Sequence, residues 1–255
     1  MWTLSAFLLC LKGEGMKYVD IHTHILPHVD DGSKNMETSL KMLKMLYDEG
    51  VTYVVLTPHH RHGYACEKTE ILDQRFDELL SQVEQVLPRM QVYLGSEVHY
   101  ASNIVEELNQ EMAITMNGTQ YVLTEFKPQT SYNDMKATLV NLSLSGYKPI
   151  IAHAERYECL LKDPVLVQDL VEMGYFVQLN TGSISGTYGF KVKKFCDKLL
   201  AYELVHFLGS DAHDLDKRKP EYEKAIKHIR KKFGEEYATK ISYTNPIRML
   251  AGKEI

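Results

Sequence analysis

Apolar residues enter this chain in two alternating rhythms. Short runs rich in β-branched and aromatic residues recur at Val19–Ile21, Thr52–Leu56 (TYVVL), Gln91–Gly95 (QVYLG), Tyr121–Thr124 (YVLT), Pro149–Ala152 (PIIA), Tyr175–Leu179 (YFVQL) and Leu204–Leu208 (LVHFL). Runs of that length and composition predict buried strands. Between them lie longer stretches with apolar positions three and four apart, the spacing of a helix that buries one face. Met36–Glu49 carries Met36, Leu40, Leu43, Leu46 and Tyr47, and Gly50 closes it. Thr69–Leu87 carries Ile71, Leu72, Phe76, Leu79, Leu80, Val83 and Val86, and Pro88 stops it. The same reading predicts helices over Ile104–Leu108, Asn133–Ser145, Pro164–Met173, Phe190–Tyr202, Glu221–Phe233, Glu235–Ile241 and Pro246–Ala251. Met116-Asn117-Gly118-Thr119 reads as a hairpin turn, and Gly182–Gly186 as a flexible loop.

Strand and helix thus alternate seven times, with no linker, low-complexity run or internal repeat. Alternation of this kind implies parallel strands joined by right-handed crossovers. At 255 residues the fold expected is α/β, a distorted (β/α)7 TIM-like barrel forming one domain over residues 16–255. An open doubly wound sheet is the alternative. No GxGxxG or Walker A motif follows the first strand, which weighs against its nucleotide-binding form.

Met1–Gly15 (MWTLSAFLLCLKGEG) stands apart from the rhythm. Its apolar run is too short to span a bilayer. It also lacks the basic flank and small-residue cleavage site of a signal peptide. Translation is expected to start at Met16, with residues 1–15 a mis-assigned or disordered extension. The net charge of -5 argues against nucleic-acid binding and against docking on an anionic membrane. Cys10, Cys66, Cys159 and Cys196 show no CxxC spacing. They read as free thiols of a cytoplasmic protein.

Chemistry gathers just after the strands. His22 and His24 are two apart in VDIHTHILPHVDDG, so on a strand they share a face. Asp30 and Asp31 follow in a short loop. His59, Glu97, Glu125, His153, Asp211 and His213 each follow or end a predicted strand. In a barrel those ends share one mouth, where active sites sit. Five imidazoles and four carboxylates exceed the roughly four to six ligands of one divalent ion, and suit two or three ions with a bridging carboxylate. Taken singly, His153 could be a core histidine and Glu125 a strand-end ion pair. Arg156 and Arg218 lie close behind His153 and His213 and suit an anionic substrate, since a planar guanidinium binds phosphate bidentately. A surface ion pair is the alternative for each. His28, His60, His62 and His99 fall outside this inner set. No cysteine has an arginine six residues on, as a thiolate phosphatase requires, and no G-x-S-x-G elbow is present. What remains is water activated by a bound dication, with its pKa lowered to about 7.

Taken together, DIHTH…DDG, TPHH, GSEVHY, the glutamate ending YVLTEF, IAHAERY and GSDAHDLDKR resemble the PHP superfamily. Within it they resemble the bacterial capsule and exopolysaccharide tyrosine phosphatases of the CpsB/YwqE type, from Met16 to the end of the chain. The resemblance implies a distorted barrel with a three-ion site, commonly Mn²⁺, with Fe, Zn, Mg or Co as other candidates. It assigns His22, His24, Glu97 and Asp211 to a first ion. Glu97 would bridge to a second ion held by Glu125 and His153. Asp31, His59 and His213 form the third set, with Asp31 preferred over Asp30 and His59 followed by the extra His60. Arg156 and Arg218 match the phosphate-binding arginines. The implied activity is phosphotyrosine hydrolysis, with the tail of a bacterial tyrosine autokinase as protein partner, and oligomers are compatible with it. The competing readings are histidinol-phosphate phosphatase, a metal-dependent amidohydrolase and a degenerate scaffold. The amidohydrolase usually needs a bridging lysine that no strand end here supplies, and a scaffold tends to lose ligands that this chain keeps.

Overall fold

The computed structural model describes residues 17–61 and 69–255. The expected start at Met16, the extension before it, His62, Cys10 and Cys66 lie outside the described residues. Nine strand segments occur among them: β1 (Tyr18–Thr23), β2 (Val51–Leu56), β3 (His59–His60), β4 (Gln91–Leu94), β5 (Glu97–His99), β6 (Tyr121–Glu125), β7 (Lys148–Ile151), β8 (Phe176–Asn180) and β9 (Phe207–Gly209). All pair in parallel, in two sheets ordered β1-β2-β4 and β3-β5-β6-β7-β8-β9.

The nine segments are seven runs of chain. Thr57-Pro58 interrupts β2/β3, where proline supplies no N–H to a ladder. Gly95-Ser96 interrupts β4/β5. Bonding continues across both breaks, with Thr57 N–H donating to Thr23 O (2.8 Å), Gly95 N–H to Leu56 O (2.9 Å) and Glu97 N–H to Pro58 O (3.1 Å). At the far side β9 returns to β1. Asp211 N–H donates to His22 O (2.8 Å), His24 N–H to Ala212 O (2.9 Å), and Thr23 and Ala212 form an isolated parallel bridge. The seven-run barrel therefore closes at its C-terminal rim through a narrow seam.

Most strand residues alternate between two large apolar clusters, as period-two geometry requires, while Val98 and Val122 join a third, smaller one. Val54, Ile151, Val177, Leu179 and Leu208 pack in the cluster that includes Leu43, Leu46, Leu79 and Leu139 of the surrounding helices. Val55, Tyr121, Leu123, Ile150 and Phe207 pack with Met249 and Leu250 of the last helix, Asn245–Leu250. Tyr121, Leu123 and Glu125 share one face of β6, so the interior face that is apolar at its base ends in a carboxylate at the mouth.

The long predicted helices form at Met36–Asp48, Thr69–Val86, Tyr132–Leu144, Val165–Glu172, Phe190–Ala201 and Glu223–Phe233. Asn35 caps the first, its side-chain oxygen accepting Thr38 N–H at 2.9 Å. Four expectations need correction. Met116–Gly118 is a 3-10 turn with Asn117 at φ 54, and it joins the parallel strands β5 and β6, so it makes no hairpin. Residues 181–185 form a short helix, closed by Gly186 at φ 93, where a flexible loop was expected. β9 begins at Phe207, three residues later than Leu204. Leu204 N–H is taken by Leu199 O (3.0 Å) and Val205 N–H by the Tyr237 hydroxyl (3.2 Å), so neither is left for the ladder. The two closing helices are joined by a π-turn over Lys240–Thr244. No helix among the described residues is long and apolar enough to cross a membrane.

Candidate metal centre

Glu97 stands at the middle of the mouth, 1% exposed, with four imidazoles around it. His153 Nε2 lies 2.8 Å from its Oε1. His59 Nδ1 lies 2.9 Å from Oε2, and the Nε2 atoms of His22 and His24 each lie 3.2 Å from it. Strand ends place all of them: His22 on β1, His59 on β3, Glu97 on β5, His153 just after β7. His153 and Asp211 hold left-handed backbone, with φ 32 and φ 54. Such conformations cost a non-glycine residue about 1–3 kcal/mol and persist where the surroundings impose them.

Groups behind the rings decide how they face. Gln178 Oε1 accepts His153 N–H at 2.7 Å, which fixes the orientation of its amide. The same oxygen lies 3.2 Å from His22 Nδ1, so that nitrogen carries the proton. Asp30 Oδ2 lies 2.7 Å from His24 Nδ1 and accepts His59 N–H at 3.0 Å. Its Oδ1 accepts Gly32 N–H at 2.9 Å. His24 is therefore also protonated at Nδ1. The Nε2 atoms of His22 and His24 then face each other at 3.1 Å. Two lone pairs that close repel unless a cation or a proton stands between them. His213 repeats the pattern. Its Nδ1–H donates to Asp211 O at 2.9 Å, and its Nε2 is buried without a hydrogen-bond partner, 3.6 Å from Asp31 Oδ1.

Among the described residues, potential ligand atoms gather in four groups, each within 4.8 Å: His24, Asp31, His59 and His213; His22, His24 and Asp211; His22, Glu97 and His153; His59, Glu97 and Glu125. All nine residues singled out from the sequence occur in these groups. Imidazole nitrogen with carboxylate oxygen is a donor set for Mn²⁺, Fe²⁺ or Zn²⁺. The shared membership of Glu97 fits a bridging carboxylate.

The charge balance points the same way. Burial disfavours ionisation here. Asp30 nevertheless overrides it for His24, pushed up to about 9, and Glu97 does so for His59, also pushed up to about 9. His213 moves down to about 4, because burial and the neighbouring His24 both oppose its charge. Against their burial, His22 holds the Glu97 carboxyl, and Arg156 the Asp211 carboxyl, far below the usual carboxylate range. Without cations, the buried carboxylates keep protons on His24 and His59.

Asp211 also organises the arginines. Arg156 Nη2 lies 2.6 Å from its Oδ2 and Arg218 Nη2 lies 2.8 Å from its Oδ1. Both arginines are about a third exposed, so they line the mouth. Asn180 Nδ2 donates to Asp211 Oδ2 at 2.9 Å. The extra histidine, His60, turns away to Glu107 (2.9 Å), while His59 faces the centre. His99, expected outside the inner set, lies 3.1 Å from Glu125 Oε2. Sequence reasoning missed the orienting roles of Gln178, Asn180 and Asp30. Their signal was present for the first two: polar residues at alternate positions of the buried strand YFVQLN.

Residues 18–251 match the family described as "Capsular polysaccharide synthesis, CpsB/CapC". This chain belongs to the CpsB/CapC family. The CpsB/CapC protein is 34% identical over 232 residues to tyrosine-protein phosphatase CpsB of Streptococcus agalactiae, covering 89% of this chain and 96% of that one. It is 31% identical over 219 residues to tyrosine-protein phosphatase YwqE of Bacillus subtilis, covering 86% of each. Among solved structures it superposes with a TM-score of 0.87 and 30% identity on one from a study of YwqE from Bacillus subtilis and CpsB from Streptococcus pneumoniae, described as unique metal-dependent tyrosine phosphatases. That match covers 93% of this CpsB/CapC chain and 96% of the other.

Proposed function

We propose that this chain is a metal-dependent protein-tyrosine phosphatase. The observation that carries the reading is the pair of Nε2 atoms facing each other at 3.1 Å beside Glu97, with two arginines at the same mouth. The relatives' names as tyrosine-protein phosphatases support it. His22, His24, Glu97 and Asp211 would hold one ion. Glu97 with Glu125 and His153 would hold a second, and Asp31, His59 and His213 a third. Mn²⁺ is the ion proposed. Bound dications supply Lewis-acid polarisation of a phosphoryl group and lower the pKa of water to about 7.

The chain's own residues bind and orient. Each guanidinium has five N–H donors, and only part of that capacity is taken by Asp211. Arg218 Nε is buried and without a hydrogen-bond partner among the described residues. Arg156 and Arg218 are thus placed to donate to the equatorial oxygens of a phosphoryl group and balance its charge. Gln178 and Asp30 hold His22 and His24 in the tautomer that leaves Nε2 available. The proposed substrate is the phosphotyrosine tail of a bacterial tyrosine autokinase controlling capsule or exopolysaccharide synthesis. The family's capsule association supports that partner. The free thiols Cys159 and Cys196 support a cytoplasmic setting.

The test is hydrolysis of p-nitrophenyl phosphate, a phosphotyrosine peptide and histidinol phosphate, before and after EDTA and after adding Mn²⁺ back. Chelator-sensitive, Mn²⁺-restored release from the peptide is expected. Activity confined to histidinol phosphate, or none in a folded, metal-loaded sample, overturns the reading. Arg156→Lys or Arg218→Lys should lower kcat/KM by about 10–100-fold, because the bidentate fork is lost.

A further inference from the structure

Beside the metal centre lies a second, polar cavity of about 430 Å³. His60, Arg61, His99, Tyr100, Glu107 and Lys127 are among its walls. Apart from Glu107, which sits on the short helix Ile104–Asn109, these residues follow or end β3, β5 and β6, so the cavity opens on the same rim as the mouth. The two share a wall: His99 lines the cavity, and its Nδ1 lies 3.1 Å from Glu125 Oε2. Tyr100, 39% exposed, packs against Phe126 with ring centroids 5.9 Å apart and gives the cavity a fixed aromatic side.

The charges in this cavity are unbalanced in one direction. Its carboxylate, Glu107, is already committed. Oε2 lies 2.9 Å from His60 Nε2, and Oε1 accepts Asn103 Nδ2 at 2.7 Å. Arg61 and Lys127 have no hydrogen-bond or ion-pair partner among the described residues. His60 is 5% exposed, and its Nδ1 is buried with no hydrogen-bond partner. In a protein of net charge -5, two exposed cations with no partner among the described residues, at a pocket beside a phosphate-directed centre, mark a place for an anion.

Building on the phosphatase reading, we propose that this cavity is a specificity subsite that takes an anionic side chain of the substrate next to the phosphotyrosine. Arg61 and Lys127 bind the anion, and Tyr100 and His99 form the wall between it and the metal centre. A carboxylate and a second phosphoryl group offer the same chemistry to these cations. Both draw on charge complementarity at a partly solvated rim, which governs selection among partners more than raw affinity.

The test uses the full chain loaded with Mn²⁺. Four phosphotyrosine peptides are compared, with glutamate, a second phosphotyrosine, alanine or lysine on both sides of the phosphotyrosine. p-Nitrophenyl phosphate, which cannot reach the subsite, is the control. The wild type should favour the glutamate peptide over the lysine peptide by about 10-fold in kcat/KM, less at high salt. The double variant Arg61→Glu/Lys127→Glu should reverse that order and leave p-nitrophenyl phosphate turnover within about twofold. Arg61→Gln/Lys127→Gln should abolish the preference and provides the reading if the reversed variant misfolds. The doubly phosphorylated arm shows which anion is preferred. Equal turnover of all four peptides by the wild type, or an order unchanged in variants that still hydrolyse p-nitrophenyl phosphate, overturns the subsite alone. A wild type that hydrolyses neither p-nitrophenyl phosphate nor any peptide overturns the phosphatase reading instead.

Discussion

Gln178 is a buried amide in an apolar strand, and one oxygen serves two groups. It accepts the His153 backbone N–H and orients His22. Asp30 does the same for His24 and the His59 backbone. Groups that orient metal ligands typically contribute about 10–100-fold to metal affinity. Asp30→Asn and Gln178→Leu should each weaken Mn²⁺ binding by about that factor, read by calorimetric titration of the apo-protein. An affinity within about twofold of wild type would show that neither residue sets the rings. At this scale the nine candidate residues were legible, because most of them end or closely follow a strand run. Asp30 was not. Adjacent to Asp31, it differs only in where the loop turns it, inward on His24, while Asp31 stays half exposed. His206 provides a residue-scale prediction away from the centre. Burial, with Lys240 nearby, lowers it to about 4. The unfolded chain takes the proton near pH 6.5, the folded one near pH 4, so this contribution to stability is full above about pH 6.5 and is lost as pH falls towards 4. The loss is on the order of 3 kcal/mol. Urea unfolding at pH 7 and pH 5 should show about 2 kcal/mol of it, and His206→Phe should flatten the difference.

Elements form where a short apolar run meets a partner, and most of these runs were legible because a buried parallel strand needs apolar residues on both faces. The misplaced start of β9 shows the limit. Leu204 and Val205 are as apolar as Phe207 and Leu208, but their N–H groups are claimed by Leu199 and by Tyr237, 32 residues away along the chain. No local pattern announces such a partner. The corrected 3-10 turn at Met116 is similar. Its glycine-containing sequence suits a hairpin, yet β5 and β6 run parallel. The packing of β9 on β1 yields a sharper test. A Cβ added at Gly209 would stand 2.5 Å from His22 Cβ and 2.9 Å from Gln178 Nε2. Gly209→Ala must push β1 and β9 apart at the level of His22. Overpacking of this kind costs about 1–3 kcal/mol, and a fall of that size in chemical denaturation is expected together with weaker metal binding. Unchanged stability would mean that the strands separate freely there.

Across the whole molecule, the barrel is a hoop whose two ends meet late in the chain. Asp20 Oδ1 accepts Ser210 N–H at 2.9 Å across 190 residues of sequence. The ends are joined by one bridge and a few backbone bonds. His22 and His24 stand on one lip of that joint, Asp211 and His213 on the other. A cation held between them acts as a clasp, and the hoop without it has a natural place to spring. Contacts so distant in sequence form after local ones, so the clasp would fasten an already assembled ring. Amide hydrogen exchange should then speed up along β9 and the end of β1 when the protein is stripped with EDTA, and stay slow along β6 and β7. Uniform loosening would mean that the ions brace the barrel everywhere. A local change would mean that this enzyme's cofactor also decides whether its ring is open or shut.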